Sequence, residues 1–254
     1  MYAVFIRIIK TFASVFRSVK NFLNTKKISE IKKEAPNLRE GFTVTAHSGA
    51  MRTVDNTVAS IRRIRETKSD IVEMDVSFRP DGTPVSIHDS SPGEGDGVLL
   101  RDMLKEVAES NTLRINLDLK AYSNLPEVEA LLNDFGLINR VFYTGVFENH
   151  CEKVSQTSPN VRYYLNFGLE GRQDDETFAR ALAQKVISLG ALGLNINFND
   201  ASKGISDAMR ENGLVLSVWT VNSAVDMHRM LSLGVDNITT REPDTLLKII
   251  ADWN

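Results

Sequence analysis

Hydrophobic and polar positions follow a repeating pattern from residue 41 to the end of the chain. Short runs rich in β-branched and aliphatic residues have the length of strands, and most are separated by segments with apolar residues at helical spacing. The predicted strands cover residues 42–47, 70–78, 113–120, 140–145, 161–167, 192–198, 214–221 and 235–240. Repeated strand–helix units imply parallel strands joined by right-handed crossovers. Eight such units favour a closed (β/α)8 TIM barrel over an open doubly wound sheet, and no GxGxxG motif follows the first strand.

One segment interrupts this pattern. Residues 79–98 (RPDGTPVSIHDSSPGEGDGV) contain an Asp-Gly turn between extended residues, which predicts a small hairpin. The insertion follows the second predicted strand on its C-terminal side. Because active sites of TIM barrels lie at the C-terminal ends of the strands, the insertion is placed to carry functional residues.

The N-terminal residues differ from the rest of the chain. Residues 1–27 carry six basic and no acidic residues, and their apolar residues recur at helical spacing. This pattern predicts a basic amphipathic helix, followed by a polar connector over residues 24–40. Its apolar face could lie on an anionic membrane surface or pack on protein, and the sequence leaves both options open. We therefore divide the chain into residues 1–40 and a barrel domain over residues 41–254.

Composition limits the functional classes. The chain has 254 residues, a net charge of −3 and one cysteine, Cys151. The charge gives no indication of nucleic-acid binding, and one cysteine excludes an intrachain disulfide. The N-terminal segment has neither an apolar run of bilayer-spanning length nor a clear signal-peptide pattern. These features predict a cytoplasmic protein, with peripheral membrane contact through residues 1–27 as the further option.

Three carboxylates lie at alternate positions of predicted strands. Glu73 and Asp75 share one face of the second strand, and Asp118 occupies the third. Buried carboxylates this close repel one another unless a cation compensates. They are either solvated at frayed strand ends or hard oxygen ligands for Mg²⁺ or Ca²⁺. Lys120 shares a face with Asp118, where it could pair with that carboxylate or contact a phosphate oxygen.

Two of the four histidines follow predicted strands. His47 ends the first strand and His88 ends the hairpin arm, so both are expected at the same mouth of the barrel. Two histidines across a phosphate can divide general acid and base roles because each titrates near neutral pH. His150 and His228 lie in helical stretches and are interpreted as structural. Trp219, at the end of a late strand, is a core residue or a wall of the substrate pocket.

Taken in order, these motifs resemble the glycerophosphodiester phosphodiesterase family over roughly residues 43–250. The resemblance rests on AHSG (46–49), DNT (55–57), EMD (73–75), DGTPVSIHD (81–89), DLK (118–120), WTVN (219–222) and GVDNITTREPD (234–244).

The resemblance implies a TIM barrel phosphoric diester hydrolase that releases glycerol phosphate and an alcohol. It implies that His47 and His88 are the general acid and base, and that Glu73, Asp75 and Asp118 hold a divalent cation. It also implies that Lys120 contacts the phosphate.

Two positions depart from the family pattern. Asp118 stands where the family usually has a longer glutamate, and Ser48 stands where the family has a phosphate-binding arginine. A serine cannot supply the bidentate contact of a guanidinium. We expect Arg52, in the same loop, to supply it, whereas the alternative is that Arg52 is solvated and Ser48 adapts the pocket to another phosphodiester. The arginine loss also leaves a second functional hypothesis, a catalytically weak barrel that binds a phosphorylated ligand or a membrane head group.

Overall fold

The computed structural model describes residues 20–21, 23–32 and 36–253, and its main feature is a closed parallel barrel. The strands are β1 Thr43–Ala46, β2 Ile71–Phe78, β3 Pro84–Ser86, β4 Val98–Leu99, β5 Arg114–Leu119, β6 Val141–Val146, β7 Arg162–Asn166, β8 Gly193–Asn197, β9 Val215–Trp219 and β10 Asn237–Thr240. All but β3 and β4 form the barrel, and β1 closes it by pairing with both β2 and β10. The predicted (β/α)8 TIM barrel and its eight strands are confirmed.

Helices connect the barrel strands and cover their outer face, and α1 precedes the first strand. Within the described residues they are α1 (residues 23–32), α2 Val58–Arg65, α3 Leu100–Ala108, α4 Leu125–Asp134, α5 Cys151–Thr157, α6 Glu176–Ser188, α7 Lys203–Glu211, α8 Ala224–Leu233 and α9 Pro243–Ala251. Several begin after a residue whose side chain accepts a backbone N–H of the first turn, namely Thr57, Asp175, Ser202 and Ser223. Such caps explain why the helices start where they do.

The two faces of the barrel strands have different chemistry. On β2 and β5, the alternate residues Glu73, Asp75, Asn116 and Asp118 line a cavity inside the barrel. Because strand side chains alternate between faces, the intervening apolar residues point outward to the helices. Val72, Met74, Val76, Ile115 and Leu117 are fully buried there and form part of the main core. The barrel is therefore held together by its outer apolar layer, which leaves its inner face free to carry polar side chains.

The predicted hairpin insertion is confirmed. β3 pairs antiparallel with the end of β2 and with β4. Asn124, which precedes α4, donates a hydrogen bond from its side chain to the Gly82 carbonyl at 2.9 Å and ties the turn to the barrel. The hairpin therefore stands on the C-terminal side of β2, beside the mouth of the barrel.

The predicted amphipathic helix over residues 1–27 lies mostly outside the described residues. The described residues 20–21 and 23–27 of this segment are helical, as predicted, and residues 28–32 continue the helix into the predicted polar connector over residues 24–40. Lys32 Nζ donates to the Asp252 carbonyl at 3.0 Å, and Arg39 pairs with Asp236 at 3.0 Å, so this segment lies against the end of the barrel opposite its mouth. Within the described part of the chain, no helix is both long and apolar enough to cross a membrane.

Close backbone contact between β8 and β9 predicts a large effect of one glycine substitution. A Cβ on Gly193 would lie 2.0 Å from the Val215 carbonyl oxygen of the paired strand. We expect Gly193→Ala to lower the free energy of unfolding by about 1–3 kcal/mol, the usual cost of overpacking. Urea denaturation measures it, with Gly168→Ala as a matched control because no atom lies within 4 Å of its added Cβ. Equal stability of the two variants would contradict the close approach.

Candidate active site

A cavity of about 610 Å³ opens at the C-terminal ends of the barrel strands. Most of the predicted site residues line it, although they come from five different parts of the sequence. The lining includes His47, Glu73, Asp75, His88, Asp118, Lys120 and Trp219. The barrel topology thus brings both predicted histidines, all three carboxylates and the lysine into one site. Trp219 is 37% exposed there, which places it on the cavity wall and not in the core.

The three carboxylates form one cluster because of the pairing of β2 with β5. Asp75 lies directly opposite Asp118 in this parallel pair, and Glu73 lies opposite Asn116. One oxygen atom from each of Glu73, Asp75 and Asp118 lies within 4.8 Å of the others. Hard oxygen ligands at this spacing suit Mg²⁺ or Ca²⁺.

Lys120 compensates part of this negative charge. Its ammonium lies 3.0 Å from Asp75 Oδ1 and also contacts Asp118 Oδ2. Burial disfavours the ammonium, but Asp118 and Asp75 outweigh burial and raise the pKa of Lys120 above its ordinary value. Lys120 is therefore a fixed positive charge at the edge of the cluster.

One lysine does not balance three carboxylates. Burial raises the pKa of Glu73 well above its ordinary value, and the charges of Asp75 and Asp118 raise it further. The backbone N–H of Ser48 donates to Glu73 Oε2 at 2.9 Å and opposes this effect only in part. A divalent cation would supply the missing charge, so the donor set and its electrostatics fit such an ion.

His47 is oriented by a hydrogen bond within its own loop. Its Nδ1 contacts the Ser48 carbonyl, which can only accept, so Nδ1 carries the proton of the neutral ring. Burial lowers the pKa of His47 below its ordinary value, although the Ser48 carbonyl opposes the shift. The neutral ring thus has an unprotonated Nε2, the form required of a general base.

His88 follows β3 and is exposed at the rim of the same cavity. It comes from the hairpin, whereas His47 comes from the first loop. The two rings therefore belong to separate elements of one cavity, as predicted from their positions after strands.

Ser48 lies beneath the cavity floor. It is fully buried, and its hydroxyl donates to Asn56 Oδ1 at 3.2 Å. It is absent from the cavity lining, so the structure does not support the predicted contact between Ser48 and a substrate. The physical reason is that Asn56 binds the hydroxyl from below and turns it away from the cavity.

Asn56 is a positioning residue that sequence reasoning missed. Its Nδ2 donates to Asp75 Oδ2 at 2.6 Å, and its Oδ1 accepts from the Asp75 backbone at 3.1 Å and from Ser86 Oγ at 2.9 Å. It therefore joins the first loop, the carboxylate strand and the hairpin. Asn56 has a φ of +56°, and asparagine tolerates this left-handed conformation better than most residues. The only sequence signal was its place in the DNT motif.

We expect loss of the Asn56 side chain to destabilise the site. Asn56→Gly keeps the positive φ accessible but leaves buried polar partners without a hydrogen bond. Each unsatisfied group should lower the free energy of unfolding by about 1–3 kcal/mol. Asn56→Ala should be less stable still, because alanine is strained at this φ. Urea unfolding of both variants separates the side-chain loss from the backbone strain. Wild-type stability of Asn56→Gly would contradict the role of this side chain.

Arg52 is exposed on the first loop, has a φ of +64° and is absent from the described cavity lining. This position disfavours the prediction that Arg52 replaces the arginine lost at Ser48. A guanidinium beside this loop comes instead from Arg241, at the end of β10. It pairs with both oxygens of Asp55, at 2.7 Å and 2.6 Å, and its charge lowers the pKa of His47.

These positions give opposite predictions for the two arginines. Arg52→Ala should leave kcat/KM within about two-fold, because a solvated surface residue contributes little. Arg241→Ala should lower kcat/KM about ten-fold, because loss of its two contacts with Asp55 frees the loop that positions His47. Steady-state kinetics of both variants tests this, and a larger effect at Arg52 would contradict it.

His150 was predicted to be structural, but it lines the cavity. Its ring stacks on Tyr122 with centroids 4.0 Å apart and planes at 15°. A short 3-10 turn over Glu148–His150, directly after β6, brings it there. The sequence pattern could not distinguish this turn from the start of α5. His228, also predicted to be structural, is buried in α8 outside the lining.

Comparison with known proteins identifies the family of this chain. The profile of the glycerophosphoryl diester phosphodiesterase family matches residues 98–245, more than half of the chain. The chain is 25% identical over 245 residues to a glycerophosphodiester phosphodiesterase of Caldanaerobacter subterraneus, and the match covers 82% of this chain and 97% of that protein.

Solved structures share the fold. One is described as a putative glycerophosphoryl diester phosphodiesterase of Agrobacterium tumefaciens, with a TM-score of 0.71, 14% identity and coverage of 83% of this chain and 98% of the other. A second is a phosphodiesterase of Oleispira antarctica in complex with the product sn-glycerol-3-phosphate, with a TM-score of 0.65, 17% identity and coverage of 87% and 99%. The chain belongs to the glycerophosphoryl diester phosphodiesterase family, a family of phosphoric diester hydrolases.

Proposed function

We propose that this protein hydrolyses glycerophosphodiesters to glycerol phosphate and an alcohol, with a divalent cation as cofactor. The observation that carries the proposal is the cavity in which two histidines from separate loops face three clustered carboxylates and a lysine. A site that only bound phosphate would not need two imidazole rings beside an oxygen-rich cation site.

The histidines and the lysine have distinct roles in this proposal. His47 accepts through Nε2 the proton that the oxygen nucleophile loses as it attacks phosphorus, because Nδ1 is committed to the Ser48 carbonyl. His88, on the opposite loop, donates a proton to the leaving alcohol oxygen. Lys120 holds a phosphoryl oxygen as a point charge, and its anchoring to Asp75 and Asp118 fixes its position.

Glu73, Asp75 and Asp118 are the proposed ligands of the cation, which is Mg²⁺ or Ca²⁺. When bound, it would neutralise charge on the phosphoryl oxygens. Asn56 and the backbone N–H of Ser48 hold two of these carboxylates in place from below. Such outer hydrogen bonds orient ligands and tune affinity.

A second candidate function is binding of a phosphorylated ligand or membrane head group without efficient turnover. It is favoured by the absence of arginine from the cavity lining among the residues that the structure describes. Retention of both histidines favours hydrolysis over this alternative.

Formation of glycerol phosphate from glycerophosphocholine and related diesters separates the two functions. We expect turnover with Mg²⁺ or Ca²⁺, loss of turnover with EDTA, and restoration when the ion is added back. Comparing the two ions identifies the preferred one. Diester binding without EDTA-sensitive turnover would establish the second function.

We also propose that the basic N-terminal segment makes peripheral contact with anionic membranes. Support comes from the exposed Lys20, Lys26 and Lys27 in the described helical residues. Pelleting with anionic liposomes should fall on deletion of residues 1–30, and equal pelleting of both proteins would contradict the proposal.

A further inference from the structure

We propose that the cavity wall formed by Tyr122, Phe147, His150, Asn166, Asn195 and Trp219 (the polyol wall) binds the alcohol part of the diester and selects an uncharged polyol over an ammonium-bearing alcohol. All six residues line the same cavity as the carboxylates. The inference rests on the proposed function and specifies its substrate class.

His150 offers an unused hydrogen-bonding group. Its Nδ1 is buried and has no hydrogen-bond partner in the described part of the chain, whereas the ring lines the cavity. A neutral ring keeps its proton on Nε2, because an Nδ1–H would be buried without an acceptor. The Nε2–H is thus free to donate to an oxygen atom in the cavity.

The stack on Tyr122 holds this donor in place. Tyr122 OH donates to the Gly145 carbonyl, and burial raises the pKa of Tyr122 to about 12, so the hydroxyl keeps its proton. With Tyr122 fixed by this bond and by its stack at 4.0 Å, the imidazole is held in one orientation.

Two buried amides add a second donor and an acceptor. Asn166 Oδ1 accepts from the Gly145 N–H at 2.9 Å and from Asn195 Nδ2 at 3.3 Å. Because the Gly145 N–H can only donate, these contacts fix both amide orientations. Asn166 Nδ2 and Asn195 Oδ1 have no bond to the described protein and are not sealed from the cavity.

The charge and shape of the polyol wall favour hydroxyl groups. None of its six residues is a carboxylate, and the neighbouring Asp118 is paired with Lys120 as a proposed cation ligand. His150 covers one face of the Tyr122 ring that a cation would need. Phe147 and Trp219 are 50% and 37% exposed, so they offer apolar surface to the carbon chain of a polyol. Donors and acceptors beside apolar ring faces match a molecule with alternating C–H and O–H groups.

Two variants of His150 test the inference. His150→Phe keeps an aromatic ring on Tyr122 and loses the donor, whereas His150→Gln keeps an amide donor and loses the ring. The dissociation constants of glycerophosphoglycerol and glycerophosphocholine are measured by calorimetry with Mg²⁺, in a His47→Ala background that prevents turnover.

We expect the His47→Ala protein to bind glycerophosphoglycerol more tightly than glycerophosphocholine. His150→Phe should raise the dissociation constant of glycerophosphoglycerol about three- to ten-fold, because one hydrogen bond is lost. The dissociation constant of glycerophosphocholine should stay within about two-fold of its value in the His47→Ala protein. His150→Gln should recover part of the difference. Equal or reversed preference in the His47→Ala protein, or equal weakening of both diesters by His150→Phe, would overturn the inference. Polyol preference in binding without turnover in the wild type would instead overturn only the proposed function.

Discussion

Glu73→Gln is expected to stabilise the cation-free protein and to abolish its stabilisation by Mg²⁺ or Ca²⁺. The folded protein raises the pKa of Glu73 through burial and the neighbouring carboxylates, so the ionised side chain destabilises the fold at neutral pH. A neutral amide of the same shape removes that cost, and the melting temperature with EDTA should rise.

The same substitution removes one of three proposed cation ligands. Wild-type protein at a cation concentration one hundred times Kd should gain about 2.7 kcal/mol of stability. The variant should gain little, and its kcat should fall on the order of 10³-fold, because a Lewis acid contributes several kcal/mol to phosphoryl chemistry. Thermal melts with EDTA and with added Mg²⁺ or Ca²⁺, together with steady-state kinetics, measure both effects.

Glu94→Gln is the matched control, since Glu94 is exposed in the hairpin and outside the cluster. It should behave like the wild type in all three measurements. A Glu73→Gln variant that still gains stability from the cation would show that Glu73 is not a ligand.

His47→Ala is expected to lower kcat about 10²- to 10⁴-fold, the usual contribution of a general base, without loss of cation binding. His47 contacts Glu73 at 3.6 Å but is not part of the carboxylate cluster. The cation-induced rise in melting temperature should therefore remain close to that of the wild type. His88→Ala should likewise lower kcat while the cation-induced rise in melting temperature stays close to that of the wild type.

The pH profile gives an independent readout of His47. A base must be unprotonated, so kcat/KM should fall as the pH decreases through the pKa of His47. Because burial lowers this pKa, the fall should lie below the ordinary histidine value of about 6.5. His228→Asn, outside the cavity, is the control and should keep wild-type kcat. Wild-type kcat in His47→Ala would remove this residue from the reaction.

The barrel and the carboxylate cluster could be predicted because each depends on a regular feature of strands. Alternation of side chains places Glu73 and Asp75 on one face, and pairing of neighbouring parallel strands places Asp118 opposite Asp75. His47 and His88 were predictable for the same reason, as each follows a strand that ends at the barrel mouth.

The positions that sequence reasoning missed depend on tertiary contacts. Ser48 suggested a substrate contact by its place beside His47, yet its hydroxyl is bound by Asn56 beneath the cavity. Arg241 is far from the first loop in sequence, and only closure of the barrel by β1 and β10 brings it to Asp55. His150 reaches the cavity through a single 3-10 turn, too short to leave a periodic signal.

Conversion of a glycerophosphodiester in ¹⁸O-labelled water, followed by ³¹P NMR, measures the proposed hydrolysis itself. With Mg²⁺ or Ca²⁺ we expect loss of the diester resonance and formation of glycerol phosphate that carries one ¹⁸O, since hydrolysis at phosphorus places the oxygen of water on the phosphate. EDTA or His47→Ala should stop this conversion. A diester signal that persists with the cation present, or a label found in the released alcohol, would contradict cation-dependent hydrolysis at phosphorus by this protein.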